Sequence, residues 1–285
     1  MAVDARTGRP TMEIVNKRLE EKSIVIVGGS SGLGLSAAQA CAVEGAHLVL
    51  VGRDEEKCQR AQDSIDGPVT YFVGDAMKAA TAEAAVALAV STFGRLDGLY
   101  HVAGGSGRRR GDGPLHEISD EGWQYTLNLN LDSLFFANRA AVQQFLSQGT
   151  GGSVLNMSSV LAGSPSPQFF ATHAYAATKA GAIGLTKAAA AYYASKRIRF
   201  NVIAPALVDT PLAQRAVADT EIMQYIRTKQ PLDGGRIGVP SDADQAVVYF
   251  LSDDSNFVTG QVLAVDGGWT VSEGQHERLM NECEE

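Results

Sequence analysis

The chain has little cysteine, no long apolar run and no excess of positive charge, and each shortage narrows what it can be. Its 285 residues include three cysteines, Cys41, Cys58 and Cys283. They are scattered, odd in number and without the spacing of a metal cluster or a disulfide framework, so they read as reduced structural thiols. No metal site is expected. No stretch reaches the ~18 apolar residues of a membrane-spanning helix, and the segment from Met1 to Lys22 is polar, without the apolar core of a secretory leader. Both point to a cytoplasmic chain with no membrane partner. Lysine and arginine number 24 against 32 acids, a formal net charge of −8, which argues against a nucleic-acid partner.

What is present is alternation. Short apolar runs recur at Ser23–Val27, His47–Val51, Val69–Val73, Leu96–Val102, Ser153–Met157, Ile198–Ala204 and Gln261–Val265. The first, Ser23–Val27, is a continuous run rather than apolar on every second residue, the pattern of a strand buried on both faces. Helical stretches separate them: Leu33–Glu44, Asp54 as a cap for a helix to Ile65, Ala79–Phe93, one long helix over Glu121–Ser147, Ala174–Ala194, and a last one capped by Ser241 and running to Leu251. Strands alternating with helices predict an α/β fold, a single doubly wound Rossmann-type domain with a seven-stranded parallel sheet. The expected organisation is an N-terminal arm over 1–22, a catalytic domain over 23–270 and a polar tail over 271–285. Neither a repeat nor a linker divides the chain.

The first strand runs into Gly28-Gly-Ser-Ser-Gly32-Leu-Gly34 and then a helix. Glycines in that context permit a tight turn and a close approach of backbone to a pyrophosphate, which the free N–H groups and positive end of the helix attract. Gly28, Ser30, Ser31, Gly32, Leu33 and Gly34 are therefore candidate contacts to a dinucleotide. The end of the second strand discriminates between nicotinamide cofactors. An acid there bonds the ribose 2′-OH and repels a 2′-phosphate. Gly52 stands in that place and Arg53 follows, a guanidinium suited to a phosphate. NADP(H) is the preferred reading, with NAD(H) possible. Asp75 and Ala76, past the third strand, are placed to meet the adenine, and a helix cap is the alternative use of Asp75.

Tyr175-Ala-Ala-Thr-Lys179 carries the chemistry. A tyrosine with a pKa near 10 is a poor acid or base at neutral pH, and a helix sets Lys179 on the same face. An ammonium held there is expected to favour the phenolate and lower the tyrosine pKa, which would suit proton exchange with a carbonyl or an alcohol. The spacing occurs three times, at Tyr175/Lys179, Tyr192/Lys196 and Tyr225/Lys229. Only Tyr175 opens a helix after a strand ending in hydroxyls, Ser158-Ser159. Tyr192 lies 17 residues along the same helix and points about 100° away.

Taken together, these residues resemble the short-chain dehydrogenase/reductase family over about residues 20–270. The glycine loop is similar to that family's TGxxxGxG, with Val27 for the Thr. His101-Val102-Ala103-Gly104 is similar to NNAG with both asparagines lost. Trp123 and Leu129-Asn130-Leu131 resemble the helix bearing a catalytic asparagine, and Tyr175 with Lys179 matches YxxxK. Asn201 to Ala206 is similar to NxxxPG, with Ala206 for Gly, and Asp266-Gly267-Gly268 matches the usual ending. The resemblance implies four catalytic residues. Tyr175 is the general acid/base, Lys179 lowers its pKa and holds the nicotinamide ribose, Ser159 orients the substrate oxygen, and Asn130 keeps a relay water beside Lys179. It further implies cofactor contacts at Ala103, Gly104, Pro205, Val208 and Thr210, besides Tyr175 and Lys179.

The expected activity is NADP(H)-dependent interconversion of a ketone and a secondary alcohol. The alternatives are an NAD-dependent alcohol or hydroxysteroid-type dehydrogenase, and a non-catalytic dinucleotide-binding scaffold. A small carbonyl or alcohol is the expected partner. A homo-oligomer, tetramer or dimer, is implied by the resemblance and by small apolar residues around helices 121–147 and 174–195. Pro165, Pro167, Phe169 and Phe170 are expected to shape an apolar pocket. The run Arg108-Arg109-Arg110 has two readings: a solvated loop held out by Gly104, Gly105, Gly107, Gly111 and Gly113, or a contact with an anionic part of the substrate.

Overall fold

The structure, a computed structural model, describes residues 17–274. The expectations for 1–16 and 275–285, Cys283 among them, lie outside the described residues. Seven strands form one all-parallel sheet in the order β3-β2-β1-β4-β5-β6-β7. They are β1 Ser23–Val27, β2 His47–Gly52, β3 Val69–Val73, β4 Gly98–His101, β5 Gly152–Met157, β6 Ile198–Pro205 and β7 Val262–Val265. The helices are α1 Gly32–Val43, α2 Glu55–Asp63, α3 Ala79–Phe93, α4 Asp120–Leu127, α5 Ser133–Gln148, α6 His173–Tyr193, α7 Gln214–Val217, α8 Thr220–Lys229 and α9 Asp244–Leu251. The doubly wound fold expected from the apolar runs is the fold observed.

The parity of the strands explains the two layers. In β1, Ile24 and Ile26 join Leu48, Leu50, Tyr100, Leu155 and Ile203 in a core against α1 and α9. Val25 and Val27 join Val49, Val51, Leu99, Val154 and Phe200 in a second core against α3, α5 and α6. Both faces are covered, which is why β1 reads as a nearly continuous apolar run. Strand order reverses between β1 and β4, so their C-terminal ends diverge into a crevice, the usual ligand position in such a sheet.

Residues 17–22 dock on this domain, with Leu19 fully buried and Arg18 paired to Asp254 at 2.7 Å. Asp54 caps α2 by accepting from Lys57 N at 3.1 Å, as expected. Two helices depart from the sequence reading. Ser241 does not cap the last one: a short 3-10 turn, Pro240–Ala243, precedes α9, and the Asp242 carboxylate accepts from Val239 N at 2.8 Å. The single helix expected over Glu121–Ser147 is interrupted by a π turn, Asn128–Asp132. The Thr126 carbonyl there accepts from the Asn130 side chain at 2.9 Å. A side chain competing for that carbonyl favours the wider turn, and such turns concentrate at functional sites.

Candidate active site

At the divergence of β1 and β4 lies a cleft of about 490 Å³. The glycine loop forms its floor by close packing. A Cβ on Gly34 would stand 2.1 Å from the Gly28 carbonyl, and one on Gly28 2.7 Å from Ala103 N. Gly28 also has φ +95°, a left-handed conformation that only glycine adopts freely. The Ser31 side chain at the N-cap of α1 makes no capping bond. The first turn of α1 therefore presents unused N–H donors and its positive end to the cleft, a cradle for a pyrophosphate. The chemistry and the tight backbone approach fit a dinucleotide.

At the far side, a Cβ on Gly52 would meet Cys58 Sγ at 2.6 Å and Ser30 Oγ at 2.7 Å. An acidic side chain has no room there. Arg53 and Lys57 both line this end of the cleft. Lys57 was not singled out from the sequence, because it lies on α2, a turn beyond the strand end that marks this subsite. Asp54 is engaged as the α2 cap. Asp75 accepts from Met77 N at 3.0 Å, so its carboxylate serves the turn before α3 while still lining the cleft with Ala76.

At the other end sit Ser159, Tyr175 and Lys179, and the fold explains why they meet. Strand β5 delivers Ser158 and Ser159 just past its C-terminal end, in the interior of the sheet. Their roles separate. Ser158 Oγ donates to the Lys179 carbonyl at 2.8 Å and pins α6 from beneath, whereas Ser159 lines the cleft. Tyr175 is the third residue of α6, and Lys179 follows one turn on, its Nζ 5.5 Å from the Tyr175 ring centre. Lys179 is buried, and its Nζ donates to the Met157 carbonyl at 3.0 Å.

One expectation is reversed. Tyr175 was expected to have a lowered pKa, but burial pushes it up to about 12, with the Ser159 hydroxyl pulling the other way. Burial lowers Lys179 to about 8. Desolvation penalises the charged form of each group, and spacing along a helix cannot reveal it. At neutral pH Tyr175 is a protonated phenol and Lys179 still carries its charge.

Every sequence-predicted site residue borders this cleft except Asn130. Asn130 is buried behind Gly104. Its Oδ1 accepts from Gly105 N at 3.0 Å, and its Nδ2 donates to the Gly105 and Thr126 carbonyls. Gly104 fits between it and the lysine, since a Cβ there would be 2.6 Å from Asn130 Oδ1 and 3.3 Å from Lys179 Nζ. Pro205, Val208 and Thr210 close the cleft above the glycine loop. The other two Tyr/Lys pairs lie elsewhere: Tyr192 is 77% exposed, and Tyr225 packs edge-on against Trp269. Phe170 lines the cleft beside Trp269 as expected of an apolar pocket, whereas Phe169 turns away onto Tyr225.

Two features escaped the sequence reading. Thr172 gives α6 no side-chain cap. The buried carboxylate of Asp112 caps it instead, from 62 residues upstream, accepting from Ala174 N and Tyr175 N at 3.0 Å each. The glycine-rich loop is exposed over Arg108–Gly111, as the solvated reading expects, but it is seated on α4 by packing at Gly107 and Gly111. A Cβ on Gly107 would collide with Thr126 Oγ1, and one on Gly122 would stand 2.6 Å from the Arg110 carbonyl.

The comparisons agree with this geometry. A family described as enoyl-(acyl carrier protein) reductase matches residues 27–270. A cyclohexanol dehydrogenase of Acinetobacter sp. is 36% identical over 263 residues, covering 90% of this chain and 98% of that one. A 2-keto-3-deoxy-L-fuconate dehydrogenase of Xanthomonas campestris is 33% identical over 90% of this chain and 82% of that one. A short-chain dehydrogenase/reductase structure from Mycobacterium ulcerans superposes with a TM-score of 0.82 at 29% identity, covering 93% of this chain and 95% of that one. The chain belongs to the short-chain dehydrogenase/reductase family, oxidoreductases of alcohols and ketones that work with a nicotinamide dinucleotide.

Proposed function

We propose that the protein is an NADP(H)-dependent oxidoreductase that interconverts a ketone and a secondary alcohol, with Tyr175 as general acid and base. The observation that carries this reading is the meeting of Ser159, Tyr175 and Lys179 at one end of a cleft whose other end is a glycine-lined phosphate cradle. The bound nicotinamide coenzyme supplies or accepts the hydride.

The side chains do the rest. A carbonyl oxygen seated between Ser159 and Tyr175 accepts a hydrogen bond from each, which fixes its position and stabilises charge that develops on it. Tyr175, protonated at neutral pH, gives up its proton to that oxygen. The phenolate left behind is favoured by the Lys179 ammonium and by Ser159. Lys179, with a pKa lowered to about 8, is poised to pass on a proton near neutral pH. The Met157 carbonyl holds its Nζ in place. Asn130 acts as a positioning residue, fixing Gly104 and Gly105 against the lysine. In the reverse direction Tyr175 accepts the alcohol proton.

Three observations support the 2′-phosphate preference: the absence of space for an acid at Gly52, the engagement of Asp54 as a cap, and the paired cations Arg53 and Lys57 at that end. Exposed apolar residues support a homo-oligomer of tetramer or dimer size. Trp123 and Phe135 stand out on α4 and α5, and Val262 and Leu263 lie on the open edge strand β7. An exposed apolar edge of this kind is a template for pairing.

Tyr175→Phe tests the catalytic reading. Turnover of a ketone panel with NADPH should fall by roughly 10²–10⁴ with coenzyme binding retained. Activity within a few-fold of the parent would exclude Tyr175 as the acid.

A further inference from the structure

We infer that Arg108 and Arg215 form an anion subsite at the substrate end of the cleft, and that the carbonyl substrate carries a carboxylate. This deepens the ketone–alcohol reading and rests on it for the identity of the reacting group. Arg108 begins the 3-10 turn after β4, and Arg215 lies on α7, so two remote segments converge here. Each guanidinium donates to the same Phe169 carbonyl at 3.4 Å, which holds the two within twice that distance of each other. Both are solvent-exposed and line the cleft that also holds Ser159, Tyr175 and Phe170.

The only counter-charge acting on Arg108 is Asp112, whose effect is smaller than those of burial and of Arg215. Among the described residues neither arginine forms an ion pair. Of the carboxylates nearest in the chain, Asp112 is buried with both oxygens on the α6 backbone, and Asp219 accepts from Glu221 N and Ile222 N at the start of α8. The one acid on the cleft wall, Asp75, is with the adenosine-end residues. Each guanidinium has five donors in a planar fork suited to a carboxylate, and the Phe169 carbonyl engages one of them. Like charges held together repel, and Arg215 does lower the pKa of Arg108 after the larger effect of burial. In a chain of net charge −8, two adjacent unpaired cations beside the reacting groups have an anion as their natural complement. The rest of the run is accounted for elsewhere: Arg110 lies over the Tyr125 ring at 5.3 Å, and Arg109 does not reach the cleft. Val160, Leu161, Phe170, Ala216 and Trp269 pack as one apolar cluster that lines the same cleft. That composition fits a substrate with a compact hydrocarbon body joining its carbonyl to its carboxylate.

The test is a binding measurement that does not depend on turnover. Cyclohexanecarboxylate and its uncharged isostere cyclohexanecarboxamide are titrated by calorimetry into the full chain saturated with NADP+ or NAD+. The carboxylate should bind roughly tenfold to a hundredfold more tightly, the range of one charge-assisted hydrogen bond. The preference should shrink as salt shortens the screening length below about 8–10 Å. The double variant Arg108→Gln/Arg215→Gln should erase the preference and leave amide and coenzyme affinity unchanged. The charge-matched control Arg109→Gln/Arg110→Gln should keep it. Equal affinities in the parent, no measurable carboxylate binding, or a preference that survives the double variant overturns the subsite. Weakened coenzyme binding in the double variant also overturns it and assigns the pair to the coenzyme phosphates. Failure of the ketone–alcohol reading is a separate result: the parent would turn over no ketone with either coenzyme, whatever the titration shows.

Discussion

His101 makes acid stability a direct reading of burial. It ends β4 on the face shared with α5 and α6, and it is 1% exposed. Neither ring nitrogen has a hydrogen-bond partner in the structure. Burial first, and the Lys179 charge second, lower its pKa from 6.5 to about 3. The folded pKa lies below the unfolded one, so between those values the unfolded chain binds the extra proton and stability falls as pH falls. The stability is fully present above pH 6.5 and lost as the pH descends towards 3. Each unit is worth about 1.4 kcal/mol, so the fall from pH 7 to pH 5 costs the parent about 2 kcal/mol at this one residue, a sizeable share of a typical ~5–15 kcal/mol. His101→Asn removes the titration. Its packing defect acts alike at both pH values and cancels in the difference. The assay is urea unfolding at pH 7, 6 and 5 with protein concentration held fixed, since assembly also moves the midpoint. The parent should lose about 2 kcal/mol more than the variant over that interval. Identical losses would refute the claim that His101 is buried and neutral.

Three further outcomes are expected. Arg53→Ala should weaken NADPH binding by roughly tenfold or more while sparing NADH, the scale of a lost charge-assisted bond; equal losses for the two coenzymes in a fluorescence titration would remove Arg53 from the 2′-phosphate. Asp112→Ala should lower thermal stability by about 1–2 kcal/mol through the lost cap and reduce kcat more than coenzyme affinity, with Asp112→Asn restoring part of both; an unchanged kcat would mean that the cap does not position Tyr175. Light scattering at micromolar concentration should return a multiple of the 30.1 kDa chain, and a monomer mass would exclude the proposed oligomer.

The fold was legible because the central strands are buried on both faces, so Ser23–Val27 announces itself as a nearly unbroken apolar run. That Tyr175, rather than Tyr192 or Tyr225, meets Ser159 in the cleft was legible too, from the hydroxyl-bearing strand before it. What stayed hidden depends on depth or on distant contact. The direction of the Tyr175 shift reflects desolvation, which a four-residue spacing does not encode. Asp112 reaches α6 across 62 residues, and nothing local marks it as a cap. The π turn follows from Asn130 taking the Thr126 carbonyl, a side-chain choice that the helical periodicity of 121–147 conceals. The glycines of 104–113 read as spacers in sequence, whereas in the structure three of them mark where backbone meets Asn130, Thr126 and Gly122.

That packing bears on how such a protein could change its substrate. Loops at the mouth of a cleft are commonly exchangeable parts, free to lengthen or mutate without touching the chemistry. The segment after β4 is not free in that way. Within five residues it holds both Arg108 on the cleft wall and Asp112 under the first turn of α6, and its glycines seat it directly on α4. In the proposed reading, recognition and proton transfer are thus mechanically joined, so a graft that altered this rim would also shift the tyrosine. New specificity is more accessible through Leu212 and its neighbours before α7, where side chains meet the cleft without anchoring the helix that carries Tyr175.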